Sequence, residues 1–125
     1  MKNAVNWFEI PVTNYNRAKQ FYETVMDSEI KDHHMPEQNT KYGMFAHDVD
    51  NNGVGGAIIE AEGQNPTQDG ATIYLNGGKN LNTSLNKVET AGGKVVMPKT
   101  DIGEFGFIAQ FIDTEGNRIA LHSFM

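Results

Sequence analysis

The sequence predicts an α+β fold in which a strand–helix–three-strand unit occurs twice. Three observations carry that reading. Residues 5–12 alternate in character and run straight into an amphipathic helical stripe. Three strand-like runs follow that stripe. After GQNPTQDG at 63–70 the same order starts again. Two such βαβββ modules would form a curved, mostly antiparallel sheet around a cleft. Module one covers about 1–62, the linker 63–70 and module two about 71–125 of a single 125-residue domain.

In the first strand Phe8, Ile10 and Val12 point one way, and Val5, Trp7 and Glu9 the other. Thr13 or Asn14 can cap the next helix, because a side-chain oxygen there accepts from a free first-turn amide. Ala18, Phe21, Tyr22, Val25 and Met26 recur at helical spacing, and Asp27 and Ser28 close the helix. The run 29–35 is a weak, polar strand, 40–47 a better one, and 54–62 is apolar at its middle. DVDNNG, between the last two, is a hairpin turn. It matches the opening of a calcium loop, but the twelfth position is Ile59 and the flanks are strand-like.

In the second module 71–76 is a strand, with Ile73 and Leu75 on one side and Thr72 and Tyr74 on the other. GGKN lacks the glycine spacing and Lys-Ser/Thr pair of a phosphate loop and reads as a strand–helix connection. Leu81, Leu85 and Val88 mark a helix that stops at Gly92-Gly93. KVVM is a strand, and 105–112 and 118–124 form a hairpin around DTEGN. Phe105, Phe107 and Phe111 are expected in the core. His33, His34 and His47 are expected at the surface, the first two on opposite strand faces.

Composition excludes several functions. The chain has no cysteine, which removes disulfides, thiolate metal sites and a thiol nucleophile, and suits a reducing cytoplasm. MKNAVNWFEIP has no signal-peptide core, and no apolar run reaches the ~18 residues of a membrane span. The net charge is −6 and the ten basic residues are scattered, so no nucleic-acid partner is expected.

FEIPVTNYNRAKQFYE resembles the opening of vicinal-oxygen-chelate proteins, the glyoxalase/bleomycin-resistance/dioxygenase superfamily. FIDTEGNRIALHS resembles its closing hairpin, and YLNGGKNLNTSLNKVETAGGKVVMPKT the second module of a bacterial lactoylglutathione-lyase-related subgroup. The resemblance implies paired modules curving around a metal held by the first and last strands of each. Here the implied ligand positions fall on Trp7, Thr72, Ala120 and a residue within 56–60, where only Glu60 has a carboxylate. The usual metal site is therefore expected to be missing. A relocated divalent-metal site would use Glu9 and His122, with Glu60.

The expected cleft has Trp7, Thr72, Tyr74, Ile108, Gln110 and Ala120 as ligand-binding residues, with Glu9 and His122 as catalytic candidates. Glu9 reads either as a solvated edge carboxylate or as a base beside a carbonyl; His122 reads either as structural or as catalytic. A small polar organic molecule is the expected partner, held with no cofactor, and a homodimer would let the cleft form between chains. Any activity would be a proton abstraction of the glyoxalase lyase type. The alternatives are a metal-dependent lactoylglutathione lyase with relocated ligands, and a non-catalytic protein that sequesters an antibiotic.

Overall fold

The computed structural model describes residues 2–125. Module one contains β1 (Trp7–Pro11), α1 (Tyr15–Met26), β2 (Lys31–Asp32), β3 (Lys41–Met44) and β4 (Gly55–Glu60). Module two contains β5 (Tyr74–Asn76), α2 (Asn82–Val88), β6 (Lys94–Asp101), β7 (Phe107–Ile112) and β8 (Arg118–Ser123). The sheets are wired alike, β1-β4-β3-β2 and β5-β8-β7-β6. In each, the first strand pairs parallel to the last and the other pairs are antiparallel. The result is an open α+β fold of two helices and two four-stranded sheets.

Local chemistry sets the helix ends. Asn14 is the N-cap of α1, its side-chain oxygen accepting from the Arg17 amide at 3.1 Å. The Tyr15 amide donates to Glu60 Oε1 at 2.7 Å, so a second first-turn donor is satisfied from β4. Asp27 ends α1 in the left-handed region at φ 49°, its amide donating to the Glu23 carbonyl. Asn80 Oδ1 accepts from the Asn82 amide at the start of α2. Past the end of α2, the Gly93 amide donates to the Val88 carbonyl at 2.9 Å.

The two modules share one core. Ile10, Val12 and Ile58 of sheet one, Ala18, Phe21 and Val25 of α1, Leu85 and Val88 of α2, and Leu75, Phe111, Ile119 and Leu121 of sheet two form a single buried cluster. The Phe21 and Phe111 rings lie 5.8 Å apart across the module boundary. Full burial of such a side chain is worth about 1.5–3 kcal/mol. The helix-bearing faces of both sheets therefore turn inward.

Several elements differ from the sequence reading. The weak run 29–35 keeps only two paired residues, Lys31 and Asp32, since its polar side chains bring little to a buried face. DVDNNG connects β3 to β4 through one 3₁₀ turn, Val49–Asn51, with Asn52 left-handed at φ 58°. In 71–76 only Tyr74–Asn76 pairs. β6 is eight residues long rather than four and its register shifts on both sides of Met97. Pro98 is tolerated there because β6 is an edge strand. Phe105 is not in the core. It is 65% exposed, lifted off the sheet by the 3₁₀ turn Gly103–Phe105.

That turn depends on Gly106, whose φ is 97° and whose absent Cβ would lie 2.3 Å from the Ser123 carbonyl oxygen. The nearest atoms are all backbone of Ser123 and Phe124, so nothing flexible can yield. Gly106→Ala should cost about 2–3 kcal/mol in urea unfolding; a loss under about 0.5 kcal/mol would contradict the packing of this turn.

Candidate functional site

Strand alternation sends one set of side chains away from the core on each sheet. On sheet one these are Trp7 and Glu9 of β1, Tyr42 and Met44 of β3, and Ala57 and Ile59 of β4. Gly55 and Ala57 are small, which lets long side chains from β1 and β3 meet across β4. Trp7 Nε1 donates to the Tyr42 hydroxyl at 2.9 Å, and that hydroxyl donates to Glu9 Oε2 at 2.7 Å. Burial first, then the Glu9 carboxylate, raises the Tyr42 pKa above its ordinary value, against the opposing Trp7 hydrogen bond. The phenol therefore stays a proton donor to Glu9 near neutral pH. Glu9 is exposed and no basic side chain among the described residues forms an ion pair with it. Trp7, 37% exposed, packs edge-on against His47 at 5.7 Å.

Tyr42 is the residue that sequence reasoning missed. Its parity within β3 was legible, but its meeting with Glu9 requires β4 to lie between β1 and β3, which only the topology supplies.

On sheet two, Tyr74, Ala120 and Gln110 form one row across three strands, and Asn76, His122 and Ile108 the next. Five of the predicted residues, Tyr74, Ile108, Gln110, Ala120 and His122, thus share one face. Thr72 precedes β5 and lies beside this face rather than on a paired strand. Tyr74, Asn76, Ile108 and His122 floor a cavity of about 640 Å³ walled by Ile102, Phe105 and Phe124. His122 Nε2 donates to the Phe105 carbonyl at 2.6 Å, leaving Nδ1 to accept a proton or hydrogen bond. Its ring meets Phe124 edge-on at 4.8 Å. Gln110 Oε1 accepts from Arg118 at 3.3 Å.

Both faces point away from the shared core, so within one chain Glu9 and His122 do not look onto a common space.

The ligand positions can now be tested against a metal. The register pairs Tyr74 with Ala120 and Glu9 with Ala57, so the counterpart of Ala120 in module one is Ala57. Glu60 faces the other way and accepts from the Tyr15 amide. Trp7, Ala57, Thr72 and Ala120 supply no set of oxygen or imidazole donors of the kind a divalent ion requires. Glu60, held at the start of α1, is turned away from both outer faces, so the relocated set keeps only Glu9 and His122, two donors where a divalent ion requires more. Among the described residues, no group of three or more His, Asp or Glu side chains converges. The residues present do not fit the metal. His34 is exposed, as expected, and also accepts from the Tyr42 amide at 3.0 Å through Nδ1 and contacts the Tyr15 ring at 4.7 Å.

The model of the Glyoxalase/Bleomycin resistance protein/Dioxygenase superfamily matches residues 4–121. No curated protein matches the sequence. Among solved structures, the chain is similar to the E144Q mutant of glyoxalase I from Zea mays, with 18% identity and a TM-score of 0.74, over 94% of this chain but 45% of that one. It is similar to a glyoxylase/bleomycin resistance protein/dioxygenase domain from Frankia sp. EAN1pec, with 13% identity and a TM-score of 0.72, over 98% of both chains. A third is the E126Q mutant of the fosfomycin resistance protein FosX from Listeria monocytogenes, complexed with Mn(II) and 1S,2S-dihydroxypropylphosphonic acid, at 15% identity and a TM-score of 0.63 over 98% of this chain and 94% of that one. The chain spans less than half of the maize protein. At these identities the likeness is one of fold.

Proposed function

The chain belongs to the Glyoxalase/Bleomycin resistance protein/Dioxygenase superfamily, and from that premise we propose that it binds a small polar organic molecule between two copies of itself. The outer face of module one in one copy meets the outer face of module two in the other. The molecule then lies between Trp7, Glu9 and Tyr42 on one side and Tyr74, Gln110 and His122 on the other, with Thr72, Ile108 and Ala120 completing the walls. The observation that carries this reading is the Trp7–Tyr42–Glu9 chain of hydrogen bonds, which fixes a carboxylate on an otherwise apolar and aromatic sheet face. Among the described residues no helix is long and apolar enough to cross a membrane, and the reading takes the chain as a cytoplasmic homodimer.

The chemistry this arrangement supports is proton abstraction beside a carbonyl. Glu9 takes the proton on the oxygen that Tyr42 leaves free, while Tyr74 or the His122 ring steadies the enolate oxygen. Tyr42 holds the base in place. No step runs through a metal, because the donor set does not fit one.

The test pairs binding with exchange. Trp7 is the only tryptophan, so its fluorescence reports ligands on this face. Small hydroxy-ketones and keto-acids should be screened for thermal stabilisation together with a change in Trp7 emission. Deuterium exchange at the carbon next to the carbonyl is then followed by proton NMR. Glu9→Gln should retain binding and slow exchange by about 10²–10⁴-fold. Equal exchange by Glu9→Gln and the parent would remove Glu9 as the base. Stabilisation with no exchange for any ligand would leave a sequestering protein, and full binding by a monomer in sedimentation would end the two-chain cleft.

A further inference from the structure

A second cavity, reaching the core side of the sheets, is lined by none of Trp7, Glu9 and Tyr42, although Tyr74 and Asn76 border both it and the outer cavity of module two. It has a volume of about 570 Å³ and lies where the edge strands β1 and β5 and the end of α1 leave the shared core unfilled. Phe8, Met26 and Phe45 line it from module one, and Ile73 and Leu75 from module two. Phe8, Met26, Phe45 and Ile73 pack against the core cluster but are only partly buried, and each lines this space. The wall cannot simply close over it. Gly56 packs its backbone against the Phe8 ring so closely that an added Cβ would lie 2.3 Å from it, which fixes the ring from behind.

Its polar lining is Ser28 and Glu29 from module one and Thr72, Tyr74 and Asn76 from module two. Among the described residues Ser28 hydrogen-bonds only through its backbone amide and the Thr72 hydroxyl has no partner, so each hydroxyl is open to a ligand. Among the described residues no Lys, Arg or His lines the cavity, and Glu29 is its one carboxylate. A ligand carboxylate, phosphate or sulfonate would find no cation to meet it and one anion to repel it.

We propose that this inter-module cavity is a binding site for an uncharged, largely aromatic or aliphatic molecule with a single hydrogen-bonding end. The volume falls in the range of about 300–1,000 Å³ typical of small-molecule sites. Apolar walls hold the body, and the hydroxyls of Ser28 and Thr72 meet the polar end. Side chains of both modules contribute, so occupancy ties the modules together and stabilises the fold by mass action.

Two fluorescent probes with nearly the same aromatic body separate the outcomes. N-phenyl-1-naphthylamine is uncharged, and 1-anilinonaphthalene-8-sulfonate adds one negative charge. The neutral probe should bind one per chain, saturably, and at least tenfold more tightly than the sulfonate. Ser28→Phe lies outside the buried core and narrows the cavity without disturbing folding; Ile73→Phe fills it from the opposite wall. Each should weaken the neutral probe at least tenfold while leaving the cooperative unfolding transition in place. Tyr42→Phe, on the outer face of module one, should not change probe binding. Tighter binding of the sulfonate, unsaturable binding, or equal affinity in Ser28→Phe and Ile73→Phe would overturn the site. Loss of binding in Tyr42→Phe alone would move the probe to the outer face and overturn it too.

Discussion

Asp113→Ala should remove about 3–5 kcal/mol of folding stability, the largest single loss expected of any polar substitution in this chain. Asp113 is 4% exposed and sits in the turn between β7 and β8. Its Oδ1 accepts from the amides of Glu115 and Asn117 at 2.8 and 2.9 Å. Its Oδ2 accepts from Asn117 Nδ2 at 3.0 Å and from the Tyr22 hydroxyl at 2.5 Å. Burial first, then the neighbouring Asp113 charge, raises the Tyr22 pKa well above normal, so the phenol remains a donor. Asn117 passes the connection on, donating to the Pro11 carbonyl at 2.7 Å and accepting from the Thr67 amide at 3.1 Å. Removing the carboxylate orphans four donors at the point where α1, β1, the linker and the hairpin meet. Tyr22→Phe loses one of those bonds and should cost about 1–2 kcal/mol. Urea unfolding measures both; a loss below about 1 kcal/mol for Asp113→Ala would mean that the turn reorganises around water.

Glu115→Gln should cost about 2 kcal/mol at pH 7 and flatten the acid limb of the stability curve. The Glu115 side chain has no exposed surface although its partner Arg17 is half exposed. It accepts from the Thr13 and Asn14 amides at 3.0 and 2.8 Å and from Arg17 Nε at 2.7 Å. Burial alone would raise its pKa. The Arg17 guanidinium and the hydrogen bonds from Asn14, Thr114 and Thr13 outweigh it and hold the pKa at about 2. A depressed folded pKa gives stability that is complete above the unfolded value and is lost as pH falls toward the folded one. The parent should therefore lose this contribution between about pH 5 and 2, whereas Glu115→Gln has no proton to take up there. Parallel acid curves for the two proteins would exclude Glu115 as their source.

The sequence announced what is periodic or local. The α1 stripe from Ala18 to Val25, the alternation around Phe8 and Ile10, and the DTEGN turn each repeat or close within a few residues, and all three stand in the structure. Parity also separated Trp7 and Glu9 from the core, and Tyr74, Ile108, Gln110, Ala120 and His122 likewise. What it could not announce are meetings between distant residues. Glu115 reaches Thr13 across 102 positions and Tyr42 reaches Glu9 across 33. Glu60 was the one carboxylate within 56–60 that the ligand position could have used, and the register turns it to the helix side. Phe105 reads as core by composition alone, yet two glycines with positive φ, Gly103 and Gly106, carry it outward.

The back-to-back placement of the two sheets has a genetic corollary. Under the two-chain reading, every polypeptide donates half of one site and the opposite half of another. A copy carrying Glu9→Gln and a copy carrying both Tyr74→Phe and His122→Ala are then each impaired alone, but when co-expressed they pair so that one of the two clefts regains both intact halves.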